Sequence, residues 1–185
     1  GFKVAAHAHG SEGIKRATLA GVDSIEHGTL MDKEGAQLMR EKGTYYVPTL
    51  LAGKWVADKA LIKDYYPPFV EKKALEIGPK LQSTFSMAYQ SGVKIAFGTA
   101  SGVSPHGENA KEFSLMIAAG MSEKDSILSA TIYAAELLGK KSDLGSISKG
   151  KYADLIGVSE DPLTDIKVLE TVDFVMKGGK VVKQP

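Results

Sequence analysis

Three stretches decide the fold of this 185-residue chain: VAAHAHG at residues 4–10, VDSIEHG at residues 22–28 and VKIAFGT at residues 93–99. Each is a short apolar run that ends in polar or glycine residues. The first two are followed directly by stretches with the composition of a helix. Strands that alternate with helices at this interval predict a parallel sheet with right-handed crossovers.

The same alternation extends through the first three quarters of the chain. Strands are predicted at residues 3–8, 22–26, 45–51 and 93–99, with Pro48 near the end of the third. Ser11 is predicted to be the N-cap of the first helix. Helices are predicted at residues 10–21, 32–42, most of 52–92, 110–120 and 123–138.

The pattern changes after Gly139. Residues 144–156 and 171–182 have the character of strands, with turn signals at Lys149-Gly150 and Gly178-Gly179. Only residues 163–169 suggest a further helix. We therefore predict two units, residues 1–140 and residues 141–185, of which the second is a small β unit.

Four strand–helix units cannot close a barrel of eight strands. They form either an open doubly wound sheet or half of a (β/α)8 barrel. His7 and His27 both come at the carboxyl ends of predicted strands, where such barrels build their active sites. The sequence therefore predicts an α/β fold that is half of a TIM barrel.

Composition narrows the functions that the chain can have. There are 23 basic and 22 acidic residues, for a net charge of +1, so neither nucleic acid nor an anionic membrane is an expected partner. No apolar run is long enough to span a bilayer. The chain has no cysteine, so any metal ion must be bound by histidine, carboxylate or water.

Histidines are the candidate site residues. Neutral imidazole binds zinc and similar ions, and side chains at the ends of neighbouring parallel strands can converge, so His7 and His27 are candidate metal ligands. His9 shares the strand face of His7, and His106 lies in the loop after the fourth strand. A histidine after an apolar run is also often only a core or capping residue, and a loop histidine is often only solvated.

Other polar residues give weaker signals. Asp23, Glu26 and the acidic residues of the helices are predicted to lie on solvated faces. Ser101 and Ser104 lack the sequence of a nucleophile elbow, so a serine hydrolase is not expected.

Four segments resemble barrel strands 5 to 8 of the amidohydrolase superfamily, which implies that the chain holds the C-terminal half of the TIM barrel. They are VAAHAHG (4–10), AGVDSIEHG (20–28), YYVPTL (45–50) and IAFGTASGVSPHGENAKE (95–112). The tail, from GSISKGKYADLIGV onward, resembles part of the β-sandwich that follows the barrel in this family. The HAHG, SIEHG and SPHGENA turns are most similar to the Xaa-Pro dipeptidase (prolidase-like) group, which ochratoxin-hydrolysing amidases also resemble.

The resemblance assigns roles to individual residues. It implies that His7 and His27 are metal ligands. From their positions alone, we expect His9 and His106 to line the same pocket and contact the substrate without binding metal. Ala100 stands where the family has an aspartate, in a Gly-Thr-Asp-Ser-Gly setting, that ligates one metal and accepts a proton. Because the flanking residues match the family pattern, we interpret Ala100 as an inactivating substitution rather than natural divergence.

The rest of the implied site would precede Gly1. The resemblance places there a His-x-His on strand 1, a carboxylated lysine on strand 4 that bridges two Zn²⁺-like ions, and the first part of the sandwich. It implies a dipeptide or N-acyl amino-acid substrate and a homo-oligomer. Two alternatives stay open: another amidohydrolase (a cyclic amide hydrolase or a deaminase), or a non-catalytic ligand-binding relative. The cellular compartment is also open.

Overall fold

The structure, a computed structural model, describes residues 1–185 and contains one parallel sheet near the start of the chain. Strands β1 (Ala5–Gly10), β2 (Ser24–Leu30) and β3 (Tyr45–Val47) lie side by side in that order, all parallel. The extended segment 93–98 continues the sheet beside β3 through a parallel bridge between Tyr46 and Ile95. The predicted parallel arrangement of four neighbours is therefore confirmed.

Helices connect these strands and also follow the last of them. None of them is long and apolar enough to cross a bilayer. They are α1 (Ser11–Leu19), α2 (Lys33–Lys42), α3 (Leu50–Ala60), α4 (Pro68–Ile77), α5 (Lys80–Gln90), α6 (Lys111–Ala118), α7 (Glu123–Ala130) and α8 (Ile132–Leu137).

Local sequence explains where α2 begins and ends. The Asp32 side chain caps it by accepting a 2.7 Å hydrogen bond from the Gly35 amide, and Gly43 ends it in the left-handed conformation. The N-cap prediction for Ser11 is wrong: the cap position of α1 is Gly10, because β1 extends that far. The Ser11 hydroxyl instead donates to the Asp32 carboxylate at 2.7 Å.

Two predicted elements have different bounds in the structure. The third strand ends at Val47 rather than at residue 51, because Pro48 has no amide to donate and Thr49 turns the chain with φ 51° into α3. The predicted helix 123–138 is two helices, α7 and α8. The break is at Thr131, whose backbone leaves the helical conformation (φ −121°, ψ −90°).

The main core lies between the sheet and the helices that cover it. A cluster of 15 buried apolar residues joins Ile25 of β2 and Tyr46 of β3 to residues of α1, α2, α5 and α6. Tyr46 and Phe85 are among the largest fully buried side chains. This packing makes the carboxyl ends of the strands a rigid platform for side chains.

The C-terminal residues form a second, antiparallel sheet. Its strands, β4 (Leu155–Gly157), β5 (Phe174–Lys177) and β6 (Lys180–Lys183), pair in chain order, and the predicted Gly178-Gly179 turn joins the last two. The predicted helix at 163–169 is a short 3-10 helix, Ile166–Glu170. Of the predicted strand 144–156, only the last two residues are in a strand. The division into units at residue 140 stays a prediction.

Candidate metal centre

Three histidine rings meet at the carboxyl end of the sheet. The ring centre of His7 lies 4.4 Å from that of His27 and 4.6 Å from that of His9, and the His9 and His27 rings stack at 5.1 Å. His7 and His9 belong to β1, whereas His27 belongs to β2. The structure thus brings together three of the four histidines.

An unusual backbone conformation brings His27 into this cluster. In the register of β1 and β2, His27 lies opposite Ala8, and Glu26 lies opposite His7. Alternation along an ordinary strand would therefore point the His27 side chain to the face of Ala8, away from His7. The positive φ of His27, 72°, breaks this alternation and lets its ring join the other two.

Tyr46 and Gly28 hold the main chain in this conformation. The buried Tyr46 hydroxyl donates a 2.9 Å hydrogen bond to the His27 carbonyl oxygen. A Cβ atom on Gly28, which has φ 50°, would lie only 2.6 Å from the Tyr46 ring. Only glycine fits against the ring at this point.

The His27 ring has the environment of a metal-binding imidazole. Its Nδ1 atom lies 2.7 Å from the Thr49 hydroxyl oxygen. Burial, and then the neighbouring His7 and His9, lower the pKa of His27 to about 4, so the ring is neutral at neutral pH. With Nδ1 engaged by Thr49, Nε2 is left as the nitrogen that can bind a metal ion.

His9 is held in the same manner by a different threonine. Its Nδ1 atom lies 2.7 Å from the Thr29 hydroxyl oxygen. Burial, then His7 and then Lys73 lower the pKa of His9, which keeps this ring neutral as well.

The donor atoms fit part of a divalent metal site. The imidazole rings of His7 and His27 lie side by side, with centres 4.4 Å apart, and imidazole nitrogens suit Zn²⁺ and similar ions. No group of three or more His, Asp or Glu side chains in this chain is arranged to hold a metal ion. A complete coordination shell therefore needs ligands in addition to these two.

Backbone strain is concentrated at the same end of the sheet. Only four non-glycine residues have positive φ, and three of them are at this end: His27 (72°) within β2, Thr49 (51°) just after β3 and Ala100 (48°) just after the segment 93–98. Such residues cost of order 1–3 kcal/mol each and cluster at functional sites. Asp and Asn tolerate this conformation better than alanine does, so the backbone at position 100 suits a short polar residue.

His106 lies apart from the cluster. It is exposed in the loop that follows residue 100, and its Nδ1 atom lies 3.3 Å from the Ser101 hydroxyl oxygen. In the same loop, Asn109 donates a 2.8 Å hydrogen bond to the Thr99 hydroxyl.

Two acidic residues that were predicted to be solvated are not. Glu26 is half-buried; burial raises its pKa, while the Ser24 hydroxyl and His7 act in the opposite direction. Glu112 of α6 is fully buried. A sequence signal for Glu112 exists, because its spacing from the buried Met116 and Ala119 places it on the apolar face of the helix.

A concavity of about 330 Å³ lies away from the histidines, at the opposite, amino end of the strands, and does not compete as a site. Four of its charged side chains are paired, with Lys3 bound to Asp23 at 2.7 Å and Lys94 bound to Glu136 at 3.2 Å.

The family pattern matches nearly the whole chain. The Amidohydrolase family profile covers residues 1–182, and the chain belongs to this family. Ochratoxinase from Aspergillus niger is 35% identical over 194 aligned residues, which cover 98% of this chain and 38% of the ochratoxinase.

Solved structures support the same fold. The crystal structure of a Xaa-Pro dipeptidase with methionine bound in its active site is 54% identical and superposes with a TM-score of 0.96, covering 98% of this chain and 45% of the dipeptidase. A prolidase complexed with N-methylphosphonate-L-proline is 32% identical, with a TM-score of 0.88 over 99% of this chain and 45% of that one. The chain spans less than half the length of these relatives, and the predicted α/β partial-barrel fold is confirmed.

Proposed function

We propose that the protein to which this chain belongs is a metal-dependent hydrolase of C-terminal amide bonds, of the Xaa-Pro dipeptidase type. The observation that carries the proposal is the His7–His27 pair, with ring centres 4.4 Å apart and with Nδ1 of His27 held by Thr49. The 54% identity to a Xaa-Pro dipeptidase supports this class over other amide hydrolases.

The residues of this chain supply part of the machinery. His7 and His27 would hold divalent ions such as Zn²⁺, in a pair completed by upstream residues that include a carboxylated lysine. When bound, such ions lower the pKa of water and polarise a carbonyl oxygen. Thr49 fixes the tautomer of His27, and the upstream half of the barrel is the necessary partner.

Position 100 is where proton transfer would fail. A carboxylate at this end of the sheet would take the proton of the attacking water and pass it to the leaving amine. The Ala100 methyl group can do neither, and it cannot bind a metal ion. The chain as it stands is therefore proposed to be a strongly impaired form of the enzyme.

A substrate panel tests the proposed class. The protein that carries the upstream half and Ala100→Asp is expected to cleave Xaa-Pro and other dipeptides or N-acyl amino acids, because this class requires a C-terminal amide bond. Cyclic amides and aminopyrimidines serve as the comparison, with release of free amino acid or ammonia as the measurement. Faster cleavage of a cyclic amide or an aminopyrimidine would mean that the protein has a different amidohydrolase activity. Binding without turnover of any substrate would support a non-catalytic relative.

His9 and His106 are proposed to contact the substrate without binding metal. In the same active protein, His9→Ala and His106→Ala are each expected to raise KM by about 10-fold, the loss of one hydrogen bond to a charged group. Steady-state kinetics on a dipeptide measure this, with kcat as the internal control. Unchanged KM in either variant would remove that residue from the site. A homo-oligomeric state, implied by the same resemblance, stays a prediction.

A further inference from the structure

The buried Glu112 carboxylate binds the start of a distant helix. Its Oε1 atom accepts a 2.8 Å hydrogen bond from the Leu50 amide, and its Oε2 atom accepts a 2.6 Å hydrogen bond from the Leu51 amide. Both amides belong to the first turn of α3, which lies 61 and 62 residues earlier in the chain. Glu112 thus satisfies two amides that no intrahelical carbonyl can reach.

Thr49 is the residue that would normally make such a cap. It occupies the N-cap position of α3, but its side chain makes no capping hydrogen bond there. Its hydroxyl lies instead against Nδ1 of His27. Because Glu112 caps the helix from another element, the Thr49 hydroxyl is available to the histidine.

We propose that Glu112 is a positioning residue for His27. By anchoring the first turn of α3, it keeps Thr49 in its left-handed conformation with the hydroxyl directed at the His27 ring. The metal-binding consequence of this role rests on the proposed function, since it requires His27 to be a ligand.

The electrostatic setting suits a carboxylate in this role. The positive end of the α3 dipole and two amide donors stabilise the ionised form. Burial raises the pKa of Glu112 to about 7, while the hydrogen bonds from the Leu51 and Leu50 amides act in the opposite direction. Burial, followed by the Glu112 charge, raises the pKa of Tyr46, which therefore stays protonated and donates to the His27 carbonyl.

Three variants of the protein that carries the upstream half test this role. Glu112→Gln keeps the shape of the side chain but places an NH₂ group against one helix amide. Thr49→Val removes the hydroxyl, and Thr49→Ser restores it. The matched control is Ser122→Ala, which removes a side-chain cap from α7. Position 100 is kept the same in all of them.

Two readouts are used, neither of which needs substrate. Nitrogen NMR of the metal-free protein is expected to show the Nδ1-protonated tautomer of His27, with a loss of that tautomer in Glu112→Gln and Thr49→Val. The affinity for Co²⁺, measured by the visible spectrum of the bound ion, is expected to fall about 10-fold in Glu112→Gln and in Thr49→Val. This is the lower end of the loss expected when a metal ligand loses its hydrogen-bond partner. Thr49→Ser and Ser122→Ala are expected to keep the original tautomer and affinity.

The outcomes separate the role of Glu112 from the proposed function. If Glu112→Gln lowers the melting temperature as Ser122→Ala does, yet leaves the tautomer and Co²⁺ affinity unchanged, Glu112 is only a helix cap and the inference is overturned. If the variants show the expected changes in tautomer and Co²⁺ affinity but the protein cleaves no amide, the role of Glu112 is upheld and the proposed activity is rejected.

Discussion

Replacing Ala100 with aspartate is expected to raise the hydrolysis of C-terminal amides by at least ~10²-fold, the lower end of what a positioned general base contributes. The protein must also contain the upstream half of the barrel. The gain should require a divalent metal ion and disappear with a chelator, because the carboxylate would act on water bound to that ion. Initial rates of dipeptide cleavage, with and without chelator, measure the effect.

Ala100→Asn is the matched control for this change. Asparagine has nearly the size of aspartate and is also favourable at positive φ, so both substitutions should relieve the strain at the φ of 48°. It is a poor base and a weak ligand, so activity should stay near that of the alanine form. Equal gains from Asp and Asn would mean that position 100 affects only packing or backbone strain.

Removing the His27 ring is expected to lower divalent metal affinity by at least about 100-fold, since loss of a ligand should exceed the 10–100-fold cost of losing its supporting partner. His7→Ala should have a comparable effect. Both expectations follow from the two adjacent rings, and the lowered pKa of His27 adds to the case for that residue. Titration of the metal-free protein with Zn²⁺ or Co²⁺ provides the measurement.

His106→Ala is the control for the metal titration. This histidine is exposed and lies in a loop outside the ring cluster, so its removal should leave metal affinity unchanged. Wild-type affinity in His7→Ala and His27→Ala would contradict the assignment of both ligands. An equal loss of affinity in His106→Ala would place the metal ion elsewhere.

The lengths and spacing of the apolar runs along the sequence were sufficient to predict the parallel sheet. Apolar runs of strand length, separated by helical stretches, fix both the number of strands and their direction. Element ends were harder to predict, because they depend on single residues. The third strand ends at Val47 because Pro48 cannot donate and Thr49 takes positive φ, and only the first of these can be read from residue types.

The sequence was sufficient to propose candidate site residues, whose roles stay predictions, but not to predict the geometry of their rings. His7 and His27 both follow apolar runs, yet the register alone would place their rings on opposite faces of the sheet. The departure at His27 depends on Tyr46 and Gly28, which are tertiary contacts without a local signal. Glu112 was missed for a related reason: a carboxylate on an apolar helix face has meaning only once its partners, the α3 amides, are known.

The three left-handed residues have a consequence for directed evolution of this protein. A screen for heat resistance alone would favour glycine or asparagine at His27, Thr49 and Ala100, since these residues relieve strain at positive φ. At His27 and Thr49, that gain would remove the side chains that the proposed chemistry needs. At Ala100 the same substitutions would remove no side chain that the proposed chemistry needs. Thermostable libraries of this protein should therefore be screened for the proposed activity in every round.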